Sequence, residues 1–154
     1  NALDLEGNVG VIIGGPAGGT VGMFSGIVGA RGSHLISPIG LEKLIPSVPA
    51  AAQTMGLRKL KYPEWGTVGM LVMTHARVVT ELDALAILAG VAATPVASGG
   101  IAGSEGAVLV TIEGCEQQVQ RAYEIVNGIK GEPAVAHPGN DMSQLYSRDN
   151  PSGR

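Results

Sequence analysis

The chain is poor in aromatic residues, with one Phe, one Trp and three Tyr among 154 residues. Its core must therefore be built from Val, Ile, Leu, Met and Ala, which suits thin, closely packed elements. Cysteine is nearly absent as well. Cys115 stands alone, which excludes an intramolecular disulfide and a Cys-based zinc cluster and fits a reducing, cytoplasmic address. Charge is sparse, at 15% of residues with a formal net charge of -3, and the only basic concentration is the scattered "LRKLK". The electrostatic footprint of nucleic-acid binding is missing. What is plentiful is apolar residues, 45% of the chain, and glycine, 24 residues. These proportions exclude a disordered chain or a coiled coil and predict a single soluble domain with a core of its own.

No charged residue lies between Glu6 and Arg31 in "GNVGVIIGGPAGGTVGMFSGIVGA". The span is long enough to cross a bilayer, but nine glycines and Pro16 leave it too little apolar surface for a transmembrane helix, so no membrane partner is expected. It lacks the basic start of a signal peptide.

Hydrophobic patterning then sets the element order. "VGVII", Val9 to Ile13, reads as a strand stopped by Gly14-Gly15-Pro16. A Gly-rich loop and short strands around Ile27-Val28 and His34-Leu35-Ile36 are expected next. Leu41, Leu44, Ile45, Val48, Ala52 and Met55 share a helical face that Pro46 must break, with Pro49 in the first turn of a second helix. "TVGMLVM" is an apolar run of strand length, to be buried on both faces. Thr80 and Asp83 form a capping-box pair at the start of a helix over residues 81–89, with Leu82, Leu85 and Ala89 inward and Gly90 as the left-handed cap. Strands follow at "TPVAS" and "AVLVTI", and then an amphipathic helix in "CEQQVQRAYEIVNGIKG" that buries Val119, Ala122, Val126 and Ile129. "EPAVAHP" reads as a closing strand and the remainder as a polar tail.

The order strand, helix, strand, turn, strand, helix, strand predicts an α+β chain of ferredoxin-like type, an antiparallel sheet with two helices on one face. Three segments result: a Gly-rich β extension over 1–31, an α/β domain over 32–138 and the tail over 139–154.

Chemistry-bearing groups are few. "GGPAGGT" has the Gly14-x-x-x-x-Gly19 spacing of a phosphate loop, so Gly14, Gly15, Gly18, Gly19 and Thr20 are candidate anion-binding residues. Thr20 stands where the lysine of such a loop belongs. His34, His75 and His137 are too far apart for a metal motif, Ser25 lies in no nucleophile elbow, and Glu81 and Asp83 cannot face one another. No catalytic residue, cofactor or metal site is expected. The turn Gly99-Gly100-Ile101-Ala102-Gly103-Ser104 reads either as a flexible hairpin or as the lining of a narrow opening where copies meet on a symmetry axis.

"GTVGMLVMTHARVVTELDALAILAGVAATPV" and "EGAVLVTIEGCEQQVQRAYEIVNGI" resemble the strands and helices of the shell proteins of bacterial microcompartments. "GSHLISPIGLEKLIPS", placed ahead of the sheet, is similar to the N-terminal element of their circularly permuted branch. The resemblance implies a cyclic homo-oligomer, a hexamer or trimer, with a central pore or plug for small metabolites. It also implies other shell proteins and enclosed enzymes as partners. Two further readings stay open: a regulatory domain whose Gly-rich loop contacts an anionic metabolite, and an enzyme with its site between subunits.

Overall fold

The computed structural model describes residues 1–56, 58–61 and 68–131. The expected closing strand, the tail, His137 and most of the connector before Val68 lie outside these. The described chain is mixed α+β. β1 (Ala2–Leu3), β2 (Val9–Gly14), α1 (Gly19–Arg31) and β3 (Ile36–Pro38) are followed by a 3-10 turn at Leu41–Lys43 and α2 (Val48–Thr54). β4 (Val68–Met73), β5 (Arg77–Val79), α3 (Glu81–Ala89), β6 (Ala92–Ser98), β7 (Val108–Glu113) and α4 (Glu116–Ile129) complete it.

The strands form three small sheets among the described residues. β2 lies between β1 and β4, antiparallel to both, so β4 is an edge of its sheet, half-buried throughout. β3 runs parallel to β5, and β6 is antiparallel to β7. Pro95 has no N–H for the ladder, and a bulge between Pro95 and Ala97 leaves Val96 without a partner in the β6–β7 register.

Two hydrophobic clusters hold these pieces. Leu3, Val9 and Ile39 are buried with Val11, Met73 and Val78 against them, so residues 2–14 are built into the first core. Leu85, Val91 and Ala122 form the second with Ala89, Ala93, Ile112 and Val119. Ala93 and Ile112 are cross-strand partners, so α3 and α4 lie on one face of the β6–β7 hairpin, the local form of the expected sandwich.

Local chemistry explains the helix bounds. The Ser47 side chain accepts the Ala50 N–H at 3.2 Å, and Pro49 fits the first turn of α2 after the break at Pro46. Asp83 accepts both the N–H and the hydroxyl of Thr80 at 2.8 Å, and Gly90 caps α3 at φ 71. At α4 the Gln118 side chain accepts the Cys115 N–H at 2.9 Å.

Two expectations are corrected. The first strand expected after the Gly-rich loop is a helix, while the second is present from Ile36: Gly18 at φ 73 turns the chain, and Gly32 at φ 59 ends the helix in a Schellman pair, Gly32 N–H to Gly29 O and Ser33 N–H to Val28 O. Ile27 and Val28 are thus helical. On α4, Ala122 is buried and Val119 partly so, but Val126 and Ile129 are exposed, because among the described residues the second core ends before the last turn.

Candidate functional site

The hairpin between Ser98 and Val108 places Gly99 to Ser104 together at one exposed tip. Gly99 N–H donates to Ala107 O at 2.9 Å, Ala107 N–H to Ser104 O at 3.0 Å, and Gly103 N–H to the Glu105 carboxylate at 2.9 Å. The tip is therefore a hydrogen-bonded turn. Ala102 takes φ 55, the one left-handed non-glycine among the described residues, and Ile101 projects with 85% of its surface exposed. Below the tip a cleft of about 450 Å³ separates β6 and β7 from the 3-10 turn, lined by Leu41, Glu42, Leu44, Pro95, Ser98 and Val108. Glu42 is ion-paired with Lys43, which holds its carboxyl below the usual value against a smaller opposing effect of burial.

The Gly14-to-Thr20 candidates divide between elements. Gly14 ends β2, Gly15 and Gly18 turn the chain at φ 73, and Gly19 and Thr20 open α1. This strand, loop and helix order is that of a phosphate loop, yet α1 starts without a side-chain cap or any acidic or basic residue in its first turn. A pocket of about 340 Å³ beside it is lined by Ile13, Pro16, Ala17 and glycines, including Gly56 and Gly69. Among the described residues no ionisable group lines it.

The chain matches no protein-family model, no curated protein and no solved structure. What the molecule can do is therefore argued from its own surfaces.

Two arrangements escape sequence spacing. The parallel β3–β5 pair brings His34 and His75, 41 positions apart, to one pocket of about 320 Å³ with Ser33 and Arg77. Nothing in the spacing of the histidines signals this; only the strand pairing does. Among the described residues no group of three or more His, Cys, Asp or Glu gathers as a metal site would require. The second arrangement is an apolar groove of about 270 Å³ between α1 and β4, lined by Val21, Phe24, Val28, Leu35, Leu71 and Met73 with His75 at its edge. Cys115 is exposed at the start of α4. No described helix is long and apolar enough to cross a membrane.

Proposed function

We propose that the protein is a self-assembling structural subunit of the microcompartment-shell kind, acting by enclosure and selective passage rather than by catalysis. One observation carries the reading. Among the described residues only eight hydrophobic side chains are buried, six of them in two separate clusters, while sixteen large ones are exposed, among them Ile12, Ile87, Leu88, Leu109 and Ile129. An isolated domain rarely leaves its apolar surface so unbalanced, whereas subunits that pack on several sides do. The β6–β7 ribbon agrees, since α3 and α4 pack on one face of it while Val96 and Leu109 stay exposed.

In this reading the fold is a circularly permuted ferredoxin-like sandwich with an added N-terminal helix. The exposed tip Gly99 to Ser104 sits at the cyclic axis, where copies leave an opening lined by small side chains and backbone. Partners are further copies, related shell subunits and enclosed enzymes.

Light scattering with negative-stain microscopy tests it. Rings or sheets of a mass several times 15.6 kDa are expected. A discrete monomer or dimer that never forms them overturns the reading.

A further inference from the structure

We infer that the pocket at His34, His75 and Arg77 and the apolar groove beside it form one site for a small aliphatic carboxylate, its acid group held by the three basic side chains and its chain laid along the groove. The inference does not depend on the self-assembly proposed above, because every wall of the site belongs to one chain.

The polar end comes from the β3–β5 pairing. Ile36 is paired with Arg77, and the Arg77 N–H donates to Leu35 O at 2.8 Å, which carries the same alignment back toward His34 and His75. Those three side chains and the Ser33 hydroxyl thereby line one pocket of about 320 Å³, all of them exposed to solvent, and among the described residues no carboxylate lines it. In a chain of net charge -3 this is a local reversal of sign. Every one of these groups donates. The guanidinium is a fork that matches the two oxygens of a carboxylate, and each imidazole and the hydroxyl add a further donor. Among the described residues the one ion pair joins Glu42 to Lys43, so no bridge neutralises Arg77. Asp83 feels the charge of Arg77, but its carboxylate accepts the Thr80 N–H and hydroxyl, the larger causes of its lowered value. A metal ion fits less well. Two imidazoles fall short of a ligand set, no third ligand joins them among the described residues, and the guanidinium repels a cation.

The apolar end is the groove of about 270 Å³ between α1 and β4, which shares Leu35 and His75 with the polar pocket. Its other walls include Val21 and Phe24 of α1 and Leu71 and Met73 of β4. Phe24, the only Phe of the chain, is 55% exposed there. An apolar trough that ends at a few convergent donors orients a ligand with one polar end. A water takes about 30 Å³ of liquid, so the groove admits on the order of nine atoms of carbon or oxygen size, a chain of medium length. The pocket beside the Gly-rich loop offers no such pairing of charge with apolar wall, since among the described residues no ionisable group lines it.

Calorimetry on the full chain tests the site with butyrate, hexanoate and octanoate, and with octanol as the chain without its acid. Affinity should rise about two- to fourfold per added methylene, and octanoate should bind at least tenfold more tightly than octanol. Arg77→Gln and His34→Gln should each weaken octanoate at least tenfold, and Phe24→Ala should flatten the dependence on chain length. Arg77 and His34 are exposed, so the melts of their variants should match wild type. Octanol bound as tightly as octanoate, or octanoate unaffected by both polar substitutions, would overturn the inference. So would the absence of octanoate binding up to millimolar concentration. Zinc bound more tightly than octanoate, and lost in His34→Gln, would assign the histidine pair to a metal and overturn it as well. Binding is read per chain, so a wild type that never assembles yet binds octanoate fails the assembly reading alone.

Discussion

The Val48 N–H donates to Asp4 Oδ2 at 2.9 Å, joining the first turn of α2 to the β1–β2 connection 44 residues earlier. Asp4 is buried, and its carboxylate also accepts the backbone N–H groups of Asn8 at 2.9 Å and Glu6 at 3.1 Å and the Asn8 side chain at 3.0 Å. Burial acts to raise the Asp4 carboxyl, but these donors outweigh it and hold it below its ordinary value. A carboxylate lowered in the folded state contributes stability that is complete above its unfolded value, near ~3.9, and is lost as pH falls through the folded value. Acid unfolding should therefore set in below about pH 4 and be moved upward or flattened in Asp4→Ala. At neutral pH that variant leaves the buried Val48 and Asn8 donors without their acceptor and should melt several degrees lower. An unchanged melt and acid profile would remove Asp4 from the account of the first core.

Gly90 and Gln118 couple the second core. Gly90 ends α3 at φ 71, and a Cβ there would meet Gln118 Nε2 at 2.9 Å, while Gln118 Oε1 holds the Cys115 N–H at the start of α4. Gly90→Ala should cost about 1–2 kcal/mol from the left-handed backbone alone, read as a lowered urea midpoint at constant slope. Gln118→Ala forfeits the Cys115 cap but also removes the atom that the new Cβ at position 90 meets, so the double variant should be less destabilised than the sum of the two. Strict additivity would show that the helix ends are independent.

How far the fold can be read from sequence follows from what each element depends on. α3 and the break between the 3-10 turn and α2 rest on local signals, the Thr80–Asp83 cap, Gly90, Pro46 and Pro49, and these suffice. α1 does not announce itself because Gly19, Gly22, Gly26 and Gly29 are poor helix formers whose spacing of 3, 4 and 3 looks like loop punctuation. That spacing is itself helical, and it was the available signal. The pentapeptide "GTVGM", which occurs at 19–23 and again at 66–70, makes the point: Val21-Gly22-Met23 is helical, and Val68-Gly69-Met70 is a strand because β2 offers it a partner from Gly14 to Ile12. Strand pairing is long-range, so the meeting of His34 with His75 and the groove between α1 and β4 could not be read from spacing.

Gly10 shows how tightly α2 closes on the face of β2 away from the first core. A Cβ at Gly10 would lie 2.6 Å from Met70 Sδ and 2.9 Å from Val48 Cγ1. Gly10→Ala should therefore destabilise by about 1–3 kcal/mol through overpacking. Met70→Ala opens space on the same side, so the pair Gly10→Ala with Met70→Ala should recover part of the loss. A neutral Gly10→Ala would mean that Met70 swings aside at no cost.

Testing the tip between β6 and β7 as the lining of an opening needs variants that the turn itself tolerates. Gly100 and Gly103 look suited to narrowing an opening, but a Cβ at Gly100 would lie 2.6 Å from both the Ser104 Cβ and its carbonyl oxygen, and Gly103 holds φ 96. A bulky residue at either position should disturb the turn and lower the melting temperature, whatever it does to passage. Ile101 carries no such constraint, being 85% exposed with an ordinary φ. If the tip surrounds an opening, Ile101→Trp should slow the exchange of a small polar solute across assembled shells several-fold, and Ile101→Ser should hasten it. Assembly and melting should stay within error of wild type in both. Equal exchange in all three proteins would place the tip away from any route for solutes and leave it a solvent-facing turn.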